Sequence, residues 1–110
     1  MPANKIINTE IILFLDHSVN ETLAIKIILD DNIIFNDLAK PEKRMPPIIF
    51  SETIPLSPGE HKMMFEDNTR NIVEEKKFNI PEIKTIFVKT EKDVVEGAHI
   101  VLDSEKVYVK

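Results

Sequence analysis

Alternation of apolar and polar residues, interrupted at short intervals by turn-forming clusters, is the feature that most constrains the fold of this chain. The clearest example is Thr22–Asp30, where Leu23, Ile25, Ile27 and Leu29 recur at every second position. A period of two places such side chains on one face of a strand. No segment shows the 3.6-residue period of an amphipathic helix over three turns. The pattern therefore predicts an all-β fold.

The kinds of apolar residue favour the same fold. The sequence has 17 Ile, 8 Val and 6 Thr but only 4 Ala among its 110 residues. Branching at Cβ restricts the side chain in a helix and packs well on a pleated surface. We therefore predict at least about 40% strand and under about 10% helix.

The same pattern along the whole chain predicts eight or nine short strands in one domain, residues 1–110, which is large enough to close one core. Their number and spacing are typical of a sandwich or small barrel, and we expect an immunoglobulin-like, Greek-key β-sandwich of about 7 to 9 short strands. Glu91–Gly97 is expected to form a single helical turn or an irregular loop. The predicted strands are Ile6–Leu15, Thr22–Asp30, Ile33–Phe35, Ile48–Leu56, Glu60–Glu66, Ile72–Ile80, Ile83–Thr90, Ala98–Leu102 and Val107–Val109.

The loop after Leu29 determines which residues of the next strand face the core. A three-residue loop, Asp30–Asn32, pairs Leu29 with Ile33. It also pairs Ile27 with Phe35, so that all four apolar residues lie on the core side. A two-residue loop at Asp31 and Asn32 would turn Phe35 to the other face. We expect the three-residue loop.

Two segments are predicted to lie at the surface. Asp37–Pro47 is polar and rich in Pro and Lys, so it cannot supply a continuous hydrogen-bond ladder and is expected to cross between sheets. The run Glu74-Glu75-Lys76-Lys77 places charge on both faces of its strand, which is typical of an edge strand protected against aggregation.

The C-terminal hairpin is expected to be the unprotected edge. Its two predicted strands have charges only at the turn and at the end, and they carry Ile100, Leu102, Val107 and Val109. Exposed strand edges are templates for pairing. We therefore expect association through this hairpin, and a proline in place of Tyr108 should weaken it.

Charge and composition exclude several classes of function. With 14 basic and 19 acidic residues the net charge is −5, and only Arg44 and Arg70 could make bidentate phosphate contacts, so nucleic acid is not an expected partner. No apolar run approaches the roughly 18 residues of a membrane span. The chain is expected in the cytoplasm if Met1 is the native start, and outside it if the chain is a trimmed module.

Residues for catalysis are scarce. The absence of Cys excludes thiolate metal sites and cysteine nucleophiles, and Gly59 and Gly97 are too few glycines for a phosphate-binding loop. The triplet Asp16-His17-Ser18 has the residue types of a hydrolase triad, but adjacent residues of an extended chain point in different directions. It is expected to be a polar strand end. No catalytic or cofactor-binding residue is predicted, and the protein is not expected to be an enzyme.

One pair of residues suggests a metal. His61 and Met63 lie two apart on a predicted strand and share one face, where imidazole and thioether could bind Cu(I). His17 and His99 could join them only if the fold brings them together. Phe65 continues the same face, however, so a core stripe ending in a hydrogen-bonded His61 is the preferred interpretation.

The segment Leu56-Ser57-Pro58-Gly59-Glu60-His61 resembles the L-x-P-G-x-H turn of many immunoglobulin-like and PEGA-like accessory domains. The resemblance covers about half of the chain. It implies a Greek-key sandwich that serves as a spacer or docking module and brings no catalytic residue. The Asp-Gly that is usual in the preceding hairpin is replaced here by Asp31-Asn32.

Two hypotheses of function follow from the sequence. The first is a non-catalytic β-sandwich interaction or accessory module, which contacts a protein partner or another copy of itself through an edge strand or the basic Lys40–Arg44 loop. The alternative is a small copper-binding protein that uses His61 and Met63.

Overall fold

The computed structural model describes residues 8–91 and 98–107. Strands take up more than half of these residues and none of them is helical, so the predicted all-β fold and its strand content are confirmed. In the same ranges no helix is long and apolar enough to cross a membrane. The strands are β1 (Thr9–Asp16), β2 (Leu23–Leu29), β3 (Asn32–Ala39), β4 (Ile48–Leu56), β5 (Gly59–Asp67), β6 (Ile72–Ile80), β7 (Thr85–Lys89) and β8 (Ile100–Asp103).

The eight strands form two four-stranded sheets that pack as a sandwich. The first sheet has the order β4-β1-β7-β8 and the second has the order β3-β2-β5-β6. All neighbouring strands are antiparallel except β1 and β7, which are parallel. The chain passes from one sheet to the other after β1, β3, β4 and β6. The edge strands are β4 and β8 in the first sheet and β3 and β6 in the second.

The core lies between the sheets and is made by alternate residues of the inner strands. In β2 every second residue is buried, as the period of two predicts. Phe14 of β1 is also buried, although it lies on the face of the strand opposite the core. Its ring stacks on that of Phe87, with the ring centroids 5.2 Å apart. The first sheet contributes Ile11, Leu13, Leu15, Ile86, Val88 and Ile100, and the second contributes Leu23, Ile25, Ile27, Leu29, Met63, Phe65, Phe78 and Ile80.

The turn between β2 and β3 differs from both expected loops. Leu29 pairs with Asn32, so the loop has two residues, Asp30 and Asp31, with positive φ angles of 48° and 67°. Positive φ at both central residues is the type I′ turn that suits a right-handed hairpin, and Asp tolerates it. The predicted pairing of Leu29 with Ile33 is therefore wrong.

A β-bulge then corrects the register of β3. The pairing shifts at Ile27 and Ile28, which inserts Ile34 and restores the predicted pairing of Ile27 with Phe35. Ile33 lies before the bulge, pairs with Ile28 and is 57% exposed, so its predicted core position is also wrong. A bulge of one residue compensates for a loop one residue shorter than expected.

The predicted bounds of the other strands are confirmed to different degrees. The bounds of β4 and β6 agree with the prediction, whereas β7 is shorter than Ile83–Thr90. Asp37–Ala39 belongs to β3, so the crossing to β4 is residues 40–47 rather than Asp37–Pro47. This crossing is exposed except at Glu42 and the buried Pro47. Residues 92–97, which hold most of the predicted helical turn or loop, lie outside the described residues.

The predicted C-terminal hairpin is confirmed only in its first strand, β8. Val107 is not in a strand, and its N–H donates to Thr85 Oγ1 at 3.0 Å, while that hydroxyl donates to the carbonyl of Glu105 at 2.8 Å. Because Ile86 points into the core, Thr85 points out, so residues 104–107 pass over the outer face of the first sheet. Tyr108 and Val109 lie outside the described residues.

Candidate functional site

His61 joins two turns at one end of the second sheet. It is nearly buried at the start of β5, and its Nε2 donates to the carbonyl of Ser57 at 2.7 Å. Its Nδ1 hydrogen bonds to the carboxylate of Asp30, whose other oxygen accepts the N–H of Lys62 at 2.9 Å. Gly59 has a positive φ of 119°, which turns the chain so that the imidazole reaches back to Ser57. These contacts explain physically the Ser-Pro-Gly-x-His turn seen in the sequence.

The charge of His61 is set by this pair of acceptors. Burial acts to lower the pKa of His61, but the hydrogen bonds to Asp30 and Ser57 and the negative charge of Asp30 outweigh it. The pKa of His61 is therefore raised above its ordinary value. Both ring nitrogens donate in the imidazolium form, which is the form that two oxygen acceptors favour.

The expected metal pair does not present free ligand atoms. Both nitrogens of His61 are hydrogen bonded, and Met63 has no exposed surface and packs in the core. His17 and His99 have their own partners. Within residues 8–91 and 98–107, no three His, Asp or Glu side chains are grouped as a metal site would require. A metal at His61 would have to displace existing hydrogen bonds.

The triplet at the end of β1 is tied into the fold rather than into a triad. His17 is fully buried, with Nε2 donating to the carbonyl of Glu21 at 2.8 Å and Nδ1 lying 2.8 Å from Thr90 Oγ1. Ser18 donates instead to Glu91 at 2.7 Å. Burial is the main cause that raises the pKa of the Asp16 carboxyl. The histidine and the serine therefore hydrogen bond to different residues.

A buried ion pair at the same end was not anticipated from the sequence. Asp67, 1% exposed, accepts Arg70 Nε at 2.5 Å and the N–H groups of Thr69 and Arg70. Arg70 also donates to the carbonyl of Thr90 at 2.6 Å, which links the β5–β6 turn to the first sheet. Burial acts to raise the pKa of Asp67, but the bonds from Arg70 and Thr69 outweigh it and lower the pKa. The only sequence signal was the Asp-x-x-Arg spacing of the turn.

The charged run of β6 has two different roles. β6 is an edge strand, as predicted, and Glu75 and Lys77 are exposed. Glu74 and Lys76 are half-buried and reach β8 in the other sheet. The Glu74 carboxylate accepts the N–H groups of His99 and Ile100 at 2.6 to 3.0 Å, and Lys76 donates to the carbonyl of Ile100 at 2.8 Å.

This contact alters the expectation for the C-terminal edge. The N–H and carbonyl of Ile100 are the groups that a new strand would have to bind, and both already have a side-chain partner from β6. Charged side chains on an edge strand normally deter another strand from pairing with that edge. Here Glu74 and Lys76 of β6 instead bind the main chain of the other sheet. The start of β8 is therefore protected, unlike the unguarded edge expected from its sequence.

The opposite side of the sandwich is open and contains a groove of about 460 Å³. Phe35 of β3 and Phe50 of β4 contact each other there, with ring centroids 5.1 Å apart. We call the space beside them the β3–β4 groove. It is lined by Phe35, Asp37, Leu38, Lys40, Pro41, Glu42 and Ile49.

The acidic groups of the β3–β4 groove already have internal partners. Glu42 accepts Arg44 Nη2 at 3.1 Å and the Arg44 N–H at 3.0 Å, and the side-chain hydrogen bond from Arg44 is the main cause that lowers the Glu42 pKa. Asp37 accepts the N–H of Leu38 at 2.7 Å. Lys40 and Lys43 are exposed and have no partner among the described residues.

Comparison with known proteins finds no matching family model, no similar curated protein and no similar solved structure. The assignment of function therefore rests on the residues of the chain itself.

Proposed function

We propose that this chain is a non-catalytic β-sandwich module that acts through protein–protein contact, and that its docking surface is the β3–β4 groove. The observation that carries the proposal is a groove with a mixed apolar and charged lining beside exposed hydrophobic residues. Leu38 is 54% exposed at its edge, and Met45 in the adjoining crossing is 86% exposed. Exposed apolar surface of this kind is typical of interaction sites.

Comparison of the four edges supports this location. β6 presents Glu75 and Lys77 to solvent, β8 is bound at Ile100 by side chains of β6, and β4 contains Pro55, which cannot donate to a partner strand. β3 has neither a proline nor a cluster of charges. Its exposed residues include Ile33 and Leu38, so it is the least protected edge among the described strands.

The contacts of the histidines support a non-catalytic role. Each of the three is buried and hydrogen bonds to a main-chain carbonyl: His17 to Glu21, His61 to Ser57 and His99 to Lys89. A general base needs a nitrogen that reaches substrate. The hydrogen bonds instead connect turns and strand ends, which is a structural use of imidazole.

The four crossings between the sheets support a finer proposal, that the sandwich is of the immunoglobulin-like, Greek-key type. In such domains a rigid core positions the edges and loops at which partners bind. An accessory module of this kind fits a surface formed by an edge strand and the crossing that follows it.

Site-specific photo-cross-linking tests the docking surface. A benzophenone amino acid in place of Leu38 should give a discrete cross-linked protein in the cells that produce the chain, and the same substitution at Met45 should give the same adduct. Val73 is the matched control, because it is 67% exposed on the opposite edge strand β6. An adduct obtained from Val73 and not from Leu38 or Met45 would place the docking surface at the other edge.

A further inference from the structure

We propose that the β3–β4 groove binds an extended peptide segment in which bulky aliphatic side chains alternate with acidic ones. This inference rests on the proposed docking function and adds the chemistry of the partner. It is drawn from the lining of the groove and from the distribution of paired and unpaired charges at its rim.

The apolar part of the ligand follows from the lining of the groove. Phe35, Leu38, Pro41 and Ile49 offer hydrocarbon surface, and Phe35 is held in place by its contact with Phe50. A volume of about 460 Å³ is enough to receive a few side chains from one side. Aliphatic side chains would remove this apolar part of the lining from water.

The acidic part follows from the charges at the rim. Five charged side chains lie on or beside the groove between residues 37 and 44, and two of them, Glu42 and Arg44, form an ion pair. The remaining charges are the ammonium groups of Lys40 and Lys43 and the carboxylate of Asp37, which accepts the neutral N–H of Leu38 and keeps its charge. At the rim the ammonium groups therefore outnumber the carboxylate by two to one, which complements an anionic partner.

The net charge of −5 does not prevent such binding. Exposed charges are screened over about 8 Å at physiological ionic strength, so the local ammonium groups act on a bound carboxylate more strongly than the distant acidic residues do. The contribution of two exposed lysines should decrease as salt is added.

Recognition is expected to depend on side chains more than on strand addition. The N–H of Leu38 is already occupied by Asp37, and β3 carries a bulge at Ile34, which disturbs a regular ladder. A peptide would therefore lie along the groove in extended form without completing the sheet at Leu38.

The experiment measures fluorescence anisotropy with two labelled peptides, one of alternating leucine and glutamate and one of alternating leucine and lysine. The acidic peptide should bind with a Kd at least about tenfold lower than the basic one, a difference of about 1.4 kcal/mol. Lys40→Glu should weaken the acidic peptide about tenfold. Lys77→Glu, an exposed charge reversal on β6, is the matched control and should change the Kd less than about twofold.

A second pair of variants tests the apolar contact. Leu38→Ser should weaken the acidic peptide about tenfold, whereas Val73→Ser, at a residue of similar exposure on β6, should leave the Kd unchanged. Because both residues are on the surface, circular dichroism of each variant should match the parent chain.

Several results would overturn the inference. If both peptides bind equally and Leu38→Ser weakens both, the groove is the docking surface but the preference for acidic side chains is rejected. Failure of both peptides while Leu38 still cross-links would reject the peptide chemistry and retain the docking function, and failure of both tests would reject both. Binding to vesicles of anionic phospholipid that is lost in Lys40→Glu, without peptide binding, would identify a membrane surface instead.

Discussion

Each histidine of this chain connects parts of the fold that are distant from one another in the sequence or lie on opposite sides of a turn. His17 lies beside Thr90, His61 contacts Asp30, and His99 stacks on Phe65 at 4.8 Å. A buried imidazole can do this because it combines a flat apolar surface with two nitrogens that hydrogen bond in the plane of the ring. The three histidines, which in the sequence first suggest chemistry, therefore hold turns and strand ends in place.

Met63 gives the simplest test of the core. It has no exposed surface, so Met63→Ala should lower the free energy of unfolding by about 2 to 5 kcal/mol through lost burial and a residual cavity. Met64 is the matched control, because the next residue on a strand faces the opposite side and is half-buried. Met64→Ala should cost about 1 kcal/mol or less.

Chemical denaturation measures both variants. A loss below about 0.5 kcal/mol for Met63→Ala would mean that this side chain is at the surface, where its thioether could bind copper with His61.

The His61–Asp30 pair makes stability depend on pH. Because the pKa of His61 is raised on folding, the folded state holds the proton more tightly than the unfolded state. The stabilisation is complete below about pH 6.5, the ordinary histidine pKa, and is lost as pH rises through the raised value. Asp30→Asn removes the negative charge, and Asn tolerates the positive φ at this position.

The measurement is the free energy of unfolding of the parent chain and of Asp30→Asn between about pH 6 and pH 9. The advantage of the parent chain should decrease with rising pH. An advantage that is constant over this range would show that the pair is not an ion pair.

The contact between β6 and β8 is the most specific feature at the scale of the elements. Glu74 supplies two oxygens to the main chain of His99 and Ile100, and Lys76 supplies a donor. The two edge strands are thereby joined across one open side of the sandwich by side-chain to main-chain hydrogen bonds. Since β6 and β8 belong to different sheets, this contact replaces the ladder that would close a barrel.

Removal of Glu74 should loosen this side of the sandwich. Glu74→Ala leaves the N–H groups of His99 and Ile100 without their acceptor and should cost about 1 to 3 kcal/mol. The amide of Ile100 should also exchange faster with deuterium. Glu75→Ala, one residue along the same strand but exposed, should change stability by less than about 0.5 kcal/mol. Equal effects of the two substitutions would contradict the contact.

The strands could be predicted from the sequence to the extent that their causes are local. β2, β4 and β6 have apolar alternation and turn residues at their ends, and these alone define them. The bulge at Ile34 and the inward direction of Glu74 could not be predicted. The bulge compensates for a two-residue turn, and although Asp30 and Asp31 can adopt that turn, they do not require it. The direction of Glu74 depends on its contact with His99, which is 25 residues later in the chain.

At the scale of the whole molecule, the two long sides of the sandwich differ. Hydrogen bonds from charged side chains to the main chain join β6 and β8 on one side. On the other side Phe35 of β3 contacts Phe50 of β4, and the groove lies beside them. This asymmetry corrects the expectation from the sequence, which placed the unprotected edge at the C-terminus. The Lys40–Arg44 loop, expected as a second contact surface, lies beside the least protected strand.

The central claim, that partners dock at the β3–β4 groove, is tested most directly by nuclear magnetic resonance of the ¹⁵N-labelled chain during titration with the leucine–glutamate peptide. The account predicts that amide shift changes concentrate at Phe35, Leu38, Lys40 and Ile49, with little change along β6 and β8. Shift changes that concentrate on β8 and its neighbour β6, with the groove residues unaffected, would contradict it.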